Sequence, residues 1–267
     1  MLKRLFSKQN RALLSELVRT DFKLRYQGSV LGYLWSLLRP LLIFVILYFV
    51  FVKFLKLGNG VPHYPVYLLL GIVVWNFFVE MTVQSTSSVV GRGDLIRKIR
   101  IPRWMVVFST SFSALINLAL NLVVVAVFMA INHVEIRNTL LLAAPILLEI
   151  YIFALGISFL LAALFVKFRD ISYIWEVLLQ AGFYATPILY PLSRIPSIAF
   201  QKIIMLNPMA QAVQDIRFAL ITHQTTTIYS LYRNNYLIIV PFIVVVLFLF
   251  LGVFYFKMQS KYFAENI

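Results

Sequence analysis

Apolar residues in this 267-residue chain are gathered into six separate blocks, over 34–52, 64–83, 104–131, 139–166, 171–189 and 236–256. Each is close to the ~20 residues a helix needs to cross a hydrocarbon layer of ~30 Å, and in lipid only a helix or a closed barrel satisfies its own backbone hydrogen bonds. The spacing predicts an all-α, polytopic membrane protein with six transmembrane helices. With 61% of residues hydrophobic and 13% charged, soluble enzymes, collagens and disordered tails are excluded.

The net charge of +14 arises from 24 Lys and Arg against 10 Asp and Glu. With both termini on one side, seventeen of the basic residues fall in the segments that share that side and seven on the other. Cytoplasmic loops carry this bias because they face anionic lipid, so the charge calls for membrane lipid and not for nucleic acid. Both termini are expected to be cytoplasmic. The absence of cysteine removes disulfides, thiolate catalysis and Cys-ligated metals. The first residues are basic but lack an apolar stretch and a small-residue cleavage site, and read as mature cytoplasmic sequence.

Two cytoplasmic segments look structured. Leu13, Leu14, Leu17, Val18 and Phe22 share a helical face, while Arg11, Glu16, Arg19 and Lys23 fall largely on others; an amphipathic helix lying flat at the interface is expected within 1–30. In the second, over 91–102, Asp94 can cap a short helix that Pro102 stops, presenting Arg97, Lys98 and Arg100 to the cytoplasm. The same charges serve equally as a positive-inside anchor. The stretch 188–235 is too apolar for a solvated loop and is broken by Pro191, Pro196 and Pro208, so short re-entrant outer helices are expected between spans five and six. No repeat divides the chain. One domain, 1–267, is expected, with the six-span bundle over 31–257 and a cytoplasmic tail over 258–267.

The ten acids are scattered and none forms a paired motif, and His63, His133 and His223 lack metal-ligand spacing. No P-loop pattern occurs. The chain therefore reads as a non-enzyme without a cofactor or metal of its own, and any ATP-driven work belongs to another chain. Charges inside spans cost a few kcal/mol each and become site candidates. Arg39 and Glu80 fit a mutual ion pair or interface anchors, and Arg39 also fits a lipid pyrophosphate. Glu149 sits deeper in its span. Glu176 follows Lys167 and Arg169 closely enough to pair with them. Tyr33, Trp35, Phe183, Tyr184 and Tyr190 are placed either to line a path on which sugar rings slide or to fill belt and packing positions.

The segment over 21–40 contains Arg25-Tyr26, Ser29, Leu31-Gly32, Trp35 and Pro40 in the order R-Y-x-x-S-x-L-G-x-x-W-x-x-x-x-P. Together with Leu95-Ile96-Arg97-Lys98-Ile99, Ile101-Pro102-Arg103, Tyr184-Ala185-Thr186-Pro187 and Leu206-Asn207-Pro208, it resembles the permease subunits of ABC-2 type polysaccharide exporters, which move O-antigen, capsule or teichoic acid. The resemblance implies a homodimer in the bacterial cytoplasmic (inner) membrane, bound to two copies of an ATPase subunit that carries ATP and Mg. It also implies a channel for a lipid-linked polysaccharide. Asp21, Lys23 and Arg25 on the first helix and Asp94, Arg97, Lys98 and Arg100 on the second would then sit in the ATPase cleft. Ile101 departs from the pattern, where many relatives carry an aromatic residue. Two other readings are an integral-membrane transferase acting on a lipid-linked sugar, against which the missing acid cluster weighs, and an ABC-2 permease for drugs or lipids.

Overall fold

The computed structural model describes residues 8–26, 28–58, 60–94, 102–233 and 235–263. Among them all regular structure is helical. Helix α1 spans Lys8–Tyr26; α2 is Trp35–Leu47, continued by a π-helical stretch Tyr48–Phe54; α3 is Tyr64–Gly91 and α4 Trp104–Ile131. After a 3-10 turn at Asn138–Leu142 come α5, Ala143–Lys167, and α6, Ile171–Ala185; the short α7 (Ile198–Met205), α8 (Pro208–Leu220) and α9 (Ile228–Leu231) precede α10, Val240–Gln259.

Five stretches among the described residues are long and apolar enough to cross a membrane: Trp35–Phe54, Tyr64–Gly91, Trp104–Ile131, Asn138–Lys167 and Tyr236–Tyr262. The fifth apolar block expected from sequence stops early. Helix α6 ends at Ala185 because Thr186 turns to extended backbone ahead of Pro187, and its 15 residues rise only about 22 Å.

Helix α3 is the centre of the bundle. Of its most apolar stretch 78% is buried, against 11% for α2 and 17% for the last span. It packs on α4 along one side and on α5 along another, and α5 in turn packs on α10. Lipid tails are as apolar as these side chains, so the helices are held by close packing and by hydrogen bonds worth about 0.6 kcal/mol each. Both are visible. Phe78 stacks on Phe153 at 5.7 Å, and Phe159 meets Phe256 edge-on at 5.1 Å. Ser85 and Thr110 bond across α3 and α4 at 2.9 Å. Where α5 crosses α10, Gly156 lies against Gly252, and a methyl group on either would run into the backbone of the other helix.

Helix α3 runs eight residues beyond the apolar block that announces it. Its last turns carry Gln84-Ser85-Thr86-Ser87-Ser88, a polar run outside that block. Two of their hydroxyls bond the helix's own carbonyls, Thr86 on Thr82 and Ser88 on Ser85, the back-bonding open to Ser and Thr within helices. Helix α1 has the expected two-sided pattern: Leu17 is buried while Arg11, Glu16, Arg19 and Lys23 are exposed. It packs against α4. Of the basic segment expected after α3, over 91–102 with Asp94 as cap, residues 95–101 lie outside the described residues.

Candidate functional site

A cavity of about 480 Å³ opens between α2, α3 and α4. Its walls carry Arg39, Asn76, Glu80, Gln84, Asn117 and Asn121, with Trp35 at its side. Glu80 Oε1 accepts from Asn117 Nδ2 at 2.5 Å and from Gln84 Nε2 at 3.3 Å. Asn121 Nδ2 donates to Asn117 O at 2.8 Å and to Ser36 O at 3.3 Å, joining α4 to the start of α2. Local geometry explains the placement. Residues 73, 76, 80, 83 and 84 recur at helical spacing on one face of α3, and 117 and 121 are one turn apart on α4. Polar groups at membrane depth are expensive, and a cluster of them around a cavity marks a place for a polar ligand.

Of the residues singled out from sequence, the cavity unites Trp35, Arg39 and Glu80. The side chain of Tyr33, in the turn before α2, lies outside the described set. Phe183, Tyr184 and Tyr190 form a separate group at the far end of α6: Phe183 packs on Trp75 at 6.1 Å and on Tyr184 at 5.4 Å, and the Tyr190 hydroxyl donates to Tyr184 O at 3.1 Å. Glu176 is exposed, and among the described residues no ion pair joins it to Lys167 or Arg169. Those two cations lie instead over the rings of Phe168 and Phe165.

At the α1 end of the bundle Asp21 makes an ion pair with Arg92, which caps α3. Arg92 also donates to Ser109 Oγ at 2.7 Å and Val106 O at 3.4 Å on α4. Burial pushes the Arg92 guanidinium down to about 10, so it stays charged at neutral pH. Asp21 is thus engaged within the chain, tying α1 to the junction of α3 and α4. Lys23 and Asp94 are exposed; the side chain of Arg25 and all of Arg97, Lys98 and Arg100 lie outside the described residues.

Two features of the opposite end escape sequence reading. Arg217, which sequence places in the outer segment of short helices between spans five and six, is fully buried in α8. Its guanidinium donates to Tyr67 O at 3.0 Å, Pro187 O at 2.5 Å, Ile188 O at 2.7 Å and Gln214 Oε1 at 3.2 Å. The helical step from Gln214 to Arg217 is the only sign of this in the sequence. The acids are also less scattered than they look. Glu149 on α5 faces Asp215 and Gln211 on α8, and Gln211 Nε2 donates to Asp215 Oδ2 at 2.6 Å. Burial pushes the Asp215 carboxyl up to about 6, against the pull of hydrogen bonds from Gln211 and the Ile228 backbone.

The described residues hold no group of three or more His, Cys, Asp or Glu placed to hold a metal ion. The ABC-2 type transporter family matches the chain over residues 12–221. The O-antigen export system permease protein RfbA of Myxococcus xanthus is 32% identical over 221 residues, covering 81% of this chain and 83% of that protein. RfbA of Klebsiella pneumoniae is 31% identical over 75% of this chain and 77% of its own length. The polysialic acid transport protein KpsM of Escherichia coli is 25% identical over 73% and 75%. A bundle of apolar helices around a polar cavity, matched by this family over most of its length, is a multi-pass membrane protein, and the chain belongs to the ABC-2 type transporter family.

Proposed function

We propose that this chain is the permease subunit of an ATP-driven exporter that carries a lipid-linked polysaccharide across the bacterial cytoplasmic membrane. The observation that carries this reading is the likeness, over four-fifths of the chain, to an O-antigen export system permease, in a sequence that has no P-loop of its own. ATP and Mg then belong to a separate nucleotide-binding subunit, present in two copies. The whole chain, 1–267, acts as one membrane domain with both termini cytoplasmic, in keeping with the basic residues on that side. Helix α6 serves as a sixth, short span; α7 and α8 are re-entrant; α1 lies at the inner interface.

Two copies pair through the faces that the bundle leaves open. Helix α2 exposes Ile46 and Leu42, and α6 exposes Tyr173, Val177 and Tyr184, the last at 68%. The ATPase docks on α1, through Lys23 and Arg25, and on the segment holding Asp94, Arg97, Lys98 and Arg100, with Asp21 holding α1 in place. Charge complementarity of this kind sets docking and its salt dependence.

The experiment is co-purification. A P-loop ATPase of separate sequence is expected to come down with the tagged chain and to be lost when Arg97, Lys98 and Arg100 are changed to Glu. A chain that catalyses sugar transfer alone, with no ATPase bound, would refute the proposal.

A further inference from the structure

The cavity between α2, α3 and α4 has a chemistry more specific than polarity. Among the described residues that line it, Arg39 and Glu80 are the ionisable ones, and their formal charges cancel. A diphosphate brings at least two negative charges into a low-dielectric wall, and such a site needs surplus cations to offset their desolvation. Glu80 works against that. The rest of the polar lining, Trp35 aside, is carboxamide and hydroxyl: Asn76, Gln84, Asn117, Asn121, Ser29 and Ser36.

A carboxamide offers a donor and an acceptor side by side, which matches neighbouring hydroxyls on a sugar ring. The lining is already oriented for this. Asn117 and Gln84 are both held on Glu80 Oε1, and Asn121 is fixed between Asn117 O and Ser36 O. Asn117 Oδ1 is buried without a hydrogen-bond partner, an acceptor that a small shift of its amide would give to a hydroxyl. Trp35, 45% exposed, supplies a flat apolar face on the same cavity, suited to the C–H face of a pyranose. A volume of about 480 Å³ lies at the lower end of the ~300–1,000 Å³ of small-molecule sites. That suits a single sugar unit and not a length of polymer.

We infer that this cavity is a binding subsite for an uncharged sugar unit of the transported glycan, with Trp35 as its stacking platform and Glu80, Gln84 and Asn117 as its hydroxyl readers. The inference rests on the reading of the chain as a polysaccharide permease and names what that permease grips within the bundle. Arg39, in the second turn of α2, lines the same cavity.

The chain has no cysteine, so Val83→Cys, on an exposed position of the cavity wall, gives one reporter thiol. Its alkylation by a water-soluble maleimide is followed in the purified full-length protein. Methyl glycosides of hexoses and N-acetylhexosamines are compared with sodium pyrophosphate at matched ionic strength. At about four times its Kd a bound glycoside is expected to slow alkylation about fivefold, by simple occupancy, while pyrophosphate leaves the rate unchanged.

Gln84→Ala and Trp35→Ala, each in the Val83→Cys background, should each abolish protection. Two are used so that a folding defect in one does not decide the matter. Protection by pyrophosphate and not by glycosides, or by neither, overturns the inference. Co-purification of the ATPase is scored separately: its failure to come down with the chain whose Arg97, Lys98 and Arg100 are intact, with glycoside protection present, refutes the permease and leaves the sugar subsite standing.

Discussion

The guanidinium of Arg217 lies 3.7 Å from the centre of the Tyr67 ring, a contact closed across 150 residues of chain. Together with four hydrogen bonds it binds α8 and the turn at Pro187 and Ile188 to the first turns of α3. A buried charge held this way is costly to disturb, because each lost bond strands a carbonyl out of water.

Arg217→Lys keeps the charge and loses the planar fork. It is expected to cost about 3 kcal/mol and to lower the Tm of the detergent-solubilised protein well below that of Lys261→Ala, which removes an exposed cation after α10. Equal Tm values for the two variants would refute the stapling role.

Gly71 is the position on α3 where a Cβ would collide with the Arg217 guanidinium. Gly71→Ala is therefore expected to mimic the loss of Arg217, at about 1–3 kcal/mol for overpacking. The pair Gly71→Ala and Arg217→Lys should be less than additive, since both disrupt one contact. A thermal-melt cycle over the two positions measures this.

Asp21 and Arg92 join α1 to the bundle. Arg92→Ala is expected to raise hydrogen exchange across Lys8–Tyr26 while α3 and α5 stay protected, because the Asp21 carboxylate loses its cation. The coupling between Asp21→Asn and Arg92→Ala should be about 1 kcal/mol, as for a partly exposed pair. Unchanged exchange in α1 would mean that its packing on α4 alone holds it.

Asp215 carries a carboxyl whose pKa is raised to about 6 by burial. A raised acid pKa means that the folded state resists the ionised form. Below the unfolded value of about 3.9 there is no penalty, and the penalty grows as pH climbs through 6. Stability should thus fall between pH 4 and about 7, and Asp215→Asn should flatten that fall. Melting curves across this range check the sign.

What could be read from sequence follows from which forces are local. Apolar blocks fix α2, α3, α4, α5 and α10 because span length is a one-dimensional property. The polar end of α3 was hidden because Thr86 and Ser88 satisfy themselves within the helix, which composition cannot reveal. Arg217 and the Glu149–Asp215 pair were hidden for a different reason: their partners are brought in by folding. Arg39 and Glu80 stand out in sequence as costly charges and Trp35 as a path-lining or belt aromatic, yet their meeting in one cavity depends on the α2–α3–α4 packing.

At the crossing of α5 and α10 nothing but hydrogen separates two polypeptide backbones. Slipping either helix by one residue would drive Leu155, Ile157, Leu251 or Val253 into a gap sized for Gly156 and Gly252. The two helices therefore behave as a single strut, unable to shear, and α3 braced on them is its extension. Rearrangement within the bundle is left to α2 and α6, which touch this frame along one side only and expose Leu42, Ile46, Tyr173 and Val177 on the other.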